Sequence, residues 1–214
     1  VGSNGSGKTS LLNIICGSIP VESGRITVEG EDITSQKEYL RHRNIGRVYQ
    51  DPAKGTCAGM TILENMAIAE NKGQPYGLGL SVKKNRVEAY REMLRPLNLG
   101  LEDQMHSRVG SLSGGQRQRI EIARVLAADP TIIILDEATS ALDAKTEYDV
   151  VKSIKDRGIT CIVIAHRLST IRDCDEIIVL EHGKVAERGT HDELMAVENG
   201  MYKEMFNTQA QYYV

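Results

Sequence analysis

The first ten residues of the chain contain a pattern, Gly2–Thr9, that is typical of a phosphate-binding loop. They fit G-x-x-x-x-G-K-[ST], in which glycines let the backbone curl until successive amide N–H groups point into one concavity at a helix N-terminus. Lys8 would add positive charge for the β- and γ-phosphates of a nucleotide, and the Thr9 hydroxyl is a ligand for Mg²⁺. A glycine-rich turn can match by chance, but apolar residues at helical spacing follow directly here. The residues expected to contact the nucleotide are Gly2, Ser3, Asn4, Gly5, Ser6, Gly7, Lys8, Thr9 and Ser10.

Two adjacent carboxylates follow a short apolar run. Ile132–Leu135 reads as a buried strand, and Asp136 and Glu137 come directly after it. In a parallel sheet this places both acids at the edge where ligands bind. Asp136 would hold the hydration shell of Mg²⁺, and Glu137 would act as general base on the attacking water. A buried strand with a solvated acidic end looks the same, so the pair indicates catalysis only together with the phosphate-binding loop.

A third motif is Leu112-Ser113-Gly114-Gly115-Gln116. Ser113 suits the N-cap of a helix that runs to about Ala128, and the two glycines leave no side chain to keep a phosphate from the helix end. Taken alone, Ser-Gly-Gly usually marks a serine-capped surface helix. Within this chain it offers a second phosphate-binding helix terminus, separate from the first.

Composition excludes several classes of protein. The 214 residues are 41% hydrophobic and 26% charged, with a net charge of −3, so nothing favours a nucleic-acid partner or a polybasic membrane anchor. We expect the small basic groups Arg41–Arg43 and Arg117/Arg119 to lie on solvated faces. The four cysteines have no metal-ligand spacing and are expected to be buried or half-buried free thiols. No apolar run approaches the roughly 20 residues that a membrane span needs.

Strand-like and helix-like segments alternate along the chain, which predicts an α/β fold around a mostly parallel sheet. The segment between two halves of this sheet is helical, with Val87, Tyr90, Leu94 and Leu97 on one helix face and a glycine-rich loop at 71–81. The predicted helices lie at about 11–16, 60–70, 87–97, 114–128 and 144–157, and the predicted strands at 25–29, 45–49, 131–135, 159–165, 176–180 and 184–187.

The motifs resemble those of ATP-binding cassette (ABC) transporter ATPases, and the resemblance covers essentially the whole chain. In that family the phosphate-binding loop is followed by a glutamine at a strand end, a helical subdomain, LSGGQ, an apolar strand with Asp-Glu, a SALD loop and a lone histidine. The chain has these in the same order: Gln50, Leu112–Gln116, Asp136-Glu137, Ser140–Asp143 and His166. The resemblance implies one nucleotide-binding domain over 1–214. Its P-loop NTPase (RecA-like) core would comprise 1–50 and 126–214, with an inserted α-helical subdomain at 51–125.

The resemblance also implies the roles of individual residues. Lys8, Gln50, Glu137 and His166 would be catalytic, and His166 would contact the γ-phosphate. Gln50 would contact Mg²⁺ or the water and couple the site to a membrane partner, so Thr9, Gln50 and Asp136 form the expected metal set. Residues Ser113, Gly114, Gly115 and Gln116 would bind nucleotide, and Asp143 would lie between two cassettes.

A pair of cassettes accounts for the two phosphate-binding helix ends. If two copies pack head to tail, Ser113 and Gly115 of one copy cover the γ-phosphate held by Lys8 of the other, and hydrolysis releases the pair. The implied activity is Mg²⁺-dependent hydrolysis of ATP to ADP and phosphate. The implied partners are a second cassette and a transmembrane permease, which would hold the chain at the cytoplasmic face of a bacterial membrane, with no nucleic acid involved.

The chain departs from the family pattern in two respects. A strand must precede the phosphate-binding loop and only Val1 remains of one, so we expect the chain to be N-terminally truncated, without its first strands. Family members also stack adenine on an aromatic residue well upstream of this loop, and the chain has no residue there. Residues 45–70 look like cassettes of bacterial importers, whereas 120–196 look like cassettes of exporters. We therefore hypothesise a mosaic joined near LSGGQ.

Three alternatives to a transport ATPase stay open. A non-transport cassette ATPase of DNA repair, chromosome organisation or translation would carry a coiled-coil, zinc-bearing or tandem-cassette insertion, and none is visible between Gln50 and Ser113. A non-catalytic ATP-binding switch would usually have lost Glu137 or His166. An inactive fragment would be distinguished by an ATPase assay beside a version with restored N-terminal strands.

Overall fold

The computed structural model describes residues 1–72, 82–97, 100–137, 144–164 and 167–212. The helices in these ranges are α1 Lys8–Cys16, α2 Glu38–Arg41, α3 Ile62–Glu70, α4 Val87–Leu94, α5 Gly114–Ala127, α6 Ala144–Asp156, α7 His191–Ala196 and α8 Met201–Tyr212. The strands are β1 Thr27–Val28, β2 Glu31–Asp32, β3 Ile45–Val48, β4 Ile132–Asp136, β5 Thr160–Ile164, β6 Ile177–Glu181 and β7 Lys184–Gly189. Short 3₁₀ turns lie at Lys84–Arg86, Arg95–Leu97, Leu101–Asp103, Val109–Ser111 and Leu168–Ile171.

The central sheet has the order β3-β4-β5, and both pairings are parallel. The register aligns Val48 with Leu135 and Asp136 with Ile164. The carboxyl ends of these three strands therefore meet at one edge, which is where Gln50 and the Asp136-Glu137 pair emerge. This confirms the predicted α/β fold with parallel strands.

Two further strand pairs are antiparallel, namely β1 with β2 and β6 with β7. Val1 lies beside β6, where its amino group donates to the carbonyl of Ile178 and its carbonyl accepts from the N–H of Leu180, both at 2.7 Å. Donation to one residue and acceptance from the residue two further on is the parallel pattern. The phosphate-binding loop thus starts beside β6.

The sheet is buried on both faces, which explains why β4 is apolar without alternation. Ile134 packs with Leu12 and Cys16 of α1 on one face. Ile133 and Leu135 face the opposite way, into a larger core built with α3, α4, α5 and α6. Because α1 lies directly on the strand that carries Asp136, the loop before α1 is held close to the sheet edge.

The helical segment is joined to the sheet by continuous packing. Tyr90 and Leu94 are fully buried and Leu97 is almost so, which confirms the predicted helix face. This core also includes Val48 and Leu135 of the sheet, so the helices and the sheet share apolar contacts. Most of the glycine-rich segment that was predicted to be a loop, residues 73–81, lies outside the described residues.

The prediction that the basic groups lie on solvated faces is wrong for Arg41 and Arg119, whose exposed fractions are 4% and 8%. The Arg41 guanidinium donates to the carbonyls of Ile14 and Ile15 at 2.7 and 3.0 Å, among others. These carbonyls belong to the last turn of α1, where the regular helical hydrogen bonds from residues four positions further on are missing. A cation that satisfies such groups is stable inside the protein.

The cysteines are free, as predicted, but their exposure differs. Cys16 is buried, Cys161 and Cys174 are half-buried, and Cys57 is exposed, so the prediction of burial is wrong for Cys57. In the described part of the chain every helix is too short or too polar to cross a lipid bilayer.

Candidate functional site

The phosphate-binding loop contains two glycines at positions unsuited to a side chain, Gly7 because of its backbone conformation and Gly2 because of close neighbours. Gly7 is the N-cap of α1 and has a left-handed backbone with φ of 99°, a conformation that costs glycine little. A Cβ on Gly2 would lie 2.3 Å from the carbonyl oxygen of Leu180 and 2.5 Å from the hydroxyl of Ser6. The loop therefore packs its backbone against β6, and α1 starts directly from it.

Lys8 lies over its own loop. Its ammonium donates to the carbonyls of Gly2 and Ser3 at 2.7 and 2.8 Å. Ser6 is 2% exposed, and among the described residues its buried hydroxyl has no hydrogen-bond partner. The loop thus combines a fixed cation with a buried hydroxyl, a donor set that suits an anion.

The structure brings Gln50 and Glu137 together at the sheet edge. The Gln50 amide donates to a carboxylate oxygen of Glu137 at 3.2 Å. Glu137 has a left-handed backbone with φ of 50°, and its N–H donates to the Ile164 carbonyl at 3.0 Å. Such a backbone costs a non-glycine residue about 1–3 kcal/mol and is concentrated at functional sites. The hydrogen bond from Gln50 thus fixes the Glu137 carboxylate at a residue whose backbone conformation is itself unfavourable.

Asp136 has a partner that sequence reasoning missed. The guanidinium of Arg47, on β3, donates to Asp136 Oδ2 at 2.6 Å and to Asn13 Oδ1 at 2.7 Å. The signal available in the sequence was a single basic residue inside the apolar strand Ile45–Val48. Register alone puts Arg47 beside Ile134, two residues before Asp136.

The LSGGQ segment forms the N-terminus of α5, as predicted. Ser113 is the N-cap: its hydroxyl accepts from the Gln116 N–H at 3.3 Å, and the Gln116 side chain accepts from the Ser113 N–H at 3.0 Å. This is a capping box, which satisfies donors that the first helical turn leaves open. Ser113 and Gly114 are exposed, and a Cβ on Gly114 would meet nothing within 4 Å. The helix end is therefore open to a ligand or to another molecule.

Besides Arg47, sequence reasoning missed a buried carboxylate on helix α5. Glu121 is 1% exposed and accepts from the Tyr49 N–H at 2.8 Å, next to Gln50. Burial raises the pKa of the Glu121 carboxyl to about 7, against the opposing effects of the Tyr49 N–H and of Arg124. Gly55 packs on this carboxylate so closely that a Cβ there would lie 2.0 Å from it.

The remaining predicted residues divide into two groups. Thr9 and Ser10 lie in the first turn of α1 and are exposed, as are Ser3, Asn4 and Gly5 of the loop. Asp143 and His166 lie outside the described residues, as does the rest of Ser140–Asp143. Their predicted contacts stay predictions.

Comparison with known proteins identifies the family. The family model "ABC transporter" matches residues 1–140. A tyrosine transport ATP-binding protein of Clostridioides difficile strain R20291 is 40% identical over 192 residues, which are 86% of this chain and 75% of that protein. A putative multidrug export ATP-binding/permease protein of Bacillus subtilis strain 168, YgaD, is 40% identical over 98% of the chain.

A solved structure agrees with these relatives. The structure of a bacterial Atm1-family ABC exporter with ATP bound matches with a TM-score of 0.80 and 33% sequence identity. The match covers 98% of this chain and 36% of the exporter chain. The chain likewise spans 35% of YgaD and 29% of the mouse mitochondrial ATP-binding cassette sub-family B member 10, to which it is 37% identical over 98% of its length. The chain belongs to the ABC transporter family, and it is a nucleotide-binding domain of that family.

Proposed function

We propose that the chain binds ATP with Mg²⁺ and hydrolyses it to ADP and phosphate, and that this drives solute transport through a membrane permease. The observation that carries the proposal is the hydrogen bond of Gln50 to Glu137 at the sheet edge, directly beside Asp136. It joins the residue expected to orient a water molecule to the residue expected to take its proton.

The donor set fits both groups. A Cβ on Gly2 would clash with its surroundings, Gly7 has a left-handed backbone that favours glycine, and Lys8 adds a cation. A hydroxyl, a carboxylate and an amide oxygen, from Thr9, Asp136 and Gln50, are the hard oxygen ligands that Mg²⁺ prefers. When bound, Mg²⁺ would neutralise charge on the β- and γ-phosphate oxygens.

The proposed reaction uses the residues as follows. Lys8 and the loop N–H groups hold the phosphates in place. Glu137 accepts a proton from water as the water oxygen bonds to the γ-phosphorus and the bond from that phosphorus to the bridging oxygen of ADP breaks. Gln50 orients Glu137 and the water, and His166 is proposed to contact the γ-phosphate.

A second copy of the chain completes the proposed site. Ser113 and Gly115, at the open end of α5, would cover the γ-phosphate held by the loop of the other copy, with Asp143 between the two. The exposure of Ser113 and the capping box that fixes it support this arrangement. Residues 51–125, which include the LSGGQ segment, are proposed to form a helical subdomain inserted into the core at 1–50 and 126–214.

The names of several relatives, such as the ATP-binding/permease protein YgaD, join an ATP-binding part to a permease. We propose on this basis that the chain works at the cytoplasmic face of a membrane, bound to a permease domain or subunit. The mosaic origin stays a prediction, which separate comparison of each half with intact cassettes would test.

The substitution Glu137→Gln tests the function. We expect binding of ATP with Mg²⁺ to persist, because the amide keeps the shape of the side chain, while hydrolysis falls at least about a hundredfold, since proton transfer by a positioned side chain contributes 10²–10⁴-fold. Glu198→Gln, at an exposed position on the connection to α8, removes the same charge and should change neither. Hydrolysis by Glu137→Gln at the parental rate would show that the base is wrongly assigned. Absence of ATP binding by the parent chain would favour an inactive fragment.

A further inference from the structure

A buried cation lies against the carboxylate that is proposed to hold Mg²⁺. The side chains of Arg47 and Asp136 are 8% and 14% exposed, and Arg47 Nη2 lies 2.6 Å from Asp136 Oδ2. Removal of one partner from such a pair leaves a charge without compensation in a poorly solvated place, which is strongly unfavourable. The pair is therefore part of the built site and not a chance surface contact.

Arg47 is fixed from two further directions. Its Nη1 donates to Asn13 Oδ1 of α1 at 2.7 Å, so the two arms of the guanidinium bridge helix and strand. Its Cζ lies 4.9 Å from the centre of the Tyr49 ring, within the range of a cation–π contact. These contacts fix the orientation in which the Arg47 guanidinium meets Asp136.

We propose that Arg47 is a positioning residue for the metal site: anchored by Asn13 and Tyr49, it fixes the orientation of the Asp136 carboxylate and offsets part of its charge. The inference rests on the proposed role of Asp136 toward Mg²⁺. It assigns to Arg47 two separable effects, one on geometry and one on charge.

The two effects act on Mg²⁺ affinity with opposite signs. Loss of orientation frees Asp136 among three staggered rotamers, which weakens binding by at most about threefold. Loss of the cation removes repulsion of a divalent ion, which strengthens binding by roughly tenfold or more, even at an effective dielectric constant well above that of dry protein. Charge therefore outweighs orientation for affinity, whereas hydrolysis depends on orientation.

The first test uses the free protein without nucleotide or metal. Arg47→Met, Asp136→Asn and the double variant form a cycle whose readout is the unfolding equilibrium constant in denaturant. We expect Arg47→Met to raise this constant at least about tenfold when Asp136 is present, and less than about threefold when Asp136 has been replaced. Arg41→Met is the matched control, because Arg41 is also buried but donates to backbone carbonyls. Its effect should be the same with Asp136 or Asn at position 136.

The second test measures the Mg²⁺ concentration at half-saturation for binding of a nonhydrolysable ATP analogue, together with the rate of ATP hydrolysis. Arg47→Met should lower the half-saturating Mg²⁺ concentration by about tenfold and slow hydrolysis. Arg47→Lys keeps the charge but has no fork to reach both Asn13 and Asp136, so Mg²⁺ half-saturation should stay within about threefold of the parent while hydrolysis is still slowed.

The outcomes separate this inference from the proposed function. Additive stability effects of Arg47→Met and Asp136→Asn would overturn the inference, and so would an Mg²⁺ half-saturation that is unchanged or raised in Arg47→Met. If the parent protein failed to bind ATP, the proposed function would be wrong. The metal-free cycle would then still decide whether Arg47 fixes Asp136. If Arg47→Met did not fold, Arg47→Gln, which removes the charge but keeps a hydrogen-bond donor, would carry the same cycle.

Discussion

The backbone N–H of Tyr49 donates to the buried carboxylate of Glu121 at 2.8 Å, which ties the residue before Gln50 to the middle of α5. Ser113 is the N-cap of α5, so this hydrogen bond links the two segments that are proposed to meet ATP from opposite cassettes. Burial raises the pKa of the Glu121 carboxyl from 4.5 to about 7, so in the folded protein this group changes its charge near neutral pH.

The folding stability should therefore depend on pH through Glu121. Between pH 4.5 and 7 the folded state keeps a proton that the unfolded state has released, so stability falls as pH rises through this window. The difference in pKa corresponds to about 3 kcal/mol at pH 8. We expect Glu121→Gln, which keeps the acceptor for Tyr49, to be more stable than the parent at pH 8 by up to this amount and about equal to it at pH 4.5, as measured by denaturant unfolding.

Glu198→Gln is the control for the loss of one negative charge, because Glu198 is exposed. It should leave the pH profile of stability unchanged. A stability difference between Glu121→Gln and the parent that is the same at pH 4.5 and pH 8 would contradict the raised pKa of Glu121.

The cap of α5 allows its structural role to be separated from its proposed ligand role. Ser113→Ala should lower folding stability by about 1 kcal/mol, because the Gln116 N–H loses its acceptor. Ser113→Asn keeps a good N-cap, so its stability should stay within a few tenths of a kcal/mol of the parent. ATP-driven association of two copies, measured by sedimentation with a nonhydrolysable analogue, should nevertheless weaken, because a bulkier amide replaces the hydroxyl at the helix end.

Thr61→Ala is the matched control for this pair. Thr61 and Glu64 form the same capping box on α3, so the variant should lose a similar amount of stability while the ATP-driven association persists. If Ser113→Asn associated as strongly as the parent, the open end of α5 would have no part in binding the partner's nucleotide.

The sequence predicted the sheet and the helices because their signals are local. The apolar run before Asp136 marks a strand buried on both faces, and Tyr90, Leu94 and Leu97 recur at helical spacing. The N-cap role of Ser113 was also predictable, since a serine before two glycines and a helical segment needs only its neighbours along the chain.

The buried charges could not be predicted in the same way. Arg47 meets Asp136 only after two strands 89 residues apart have paired in register. Arg41 can be buried because the carbonyls at the end of α1, 26 and 27 residues away, accept hydrogen bonds from its guanidinium. In each case a residue type that is normally exposed to solvent forms its hydrogen bonds with a partner that is distant in the sequence. Sequence spacing carries no information about that partner.

The four cysteines should differ in reactivity. Cys57 is exposed, so an alkylating reagent should modify it first in the native protein. Burial raises the pKa of the Cys161 thiol to about 12, and because only the thiolate reacts, Cys161 should be modified far more slowly. Peptide mapping by mass spectrometry after a short exposure at pH 8 measures the order. Equal labelling of Cys57 and Cys161 in the native state, with equal labelling after denaturation as reference, would contradict the raised pKa of the Cys161 thiol.

Lys8 provides the most direct test of the phosphate-binding loop. Its ammonium lies 2.7 and 2.8 Å from two carbonyls of the loop, so it is held beside the place proposed for the phosphates. A hydrogen bond to a charged group contributes about 1.5–3 kcal/mol, and Lys8→Met should therefore weaken ATP binding by about 10- to 100-fold. Isothermal titration with a nonhydrolysable analogue measures this loss. Lys152→Met, on the exposed side of α6, removes the same charge and should bind the analogue like the parent. If both lysine variants lost affinity equally, the effect would reflect net charge, and the loop would not be the nucleotide site.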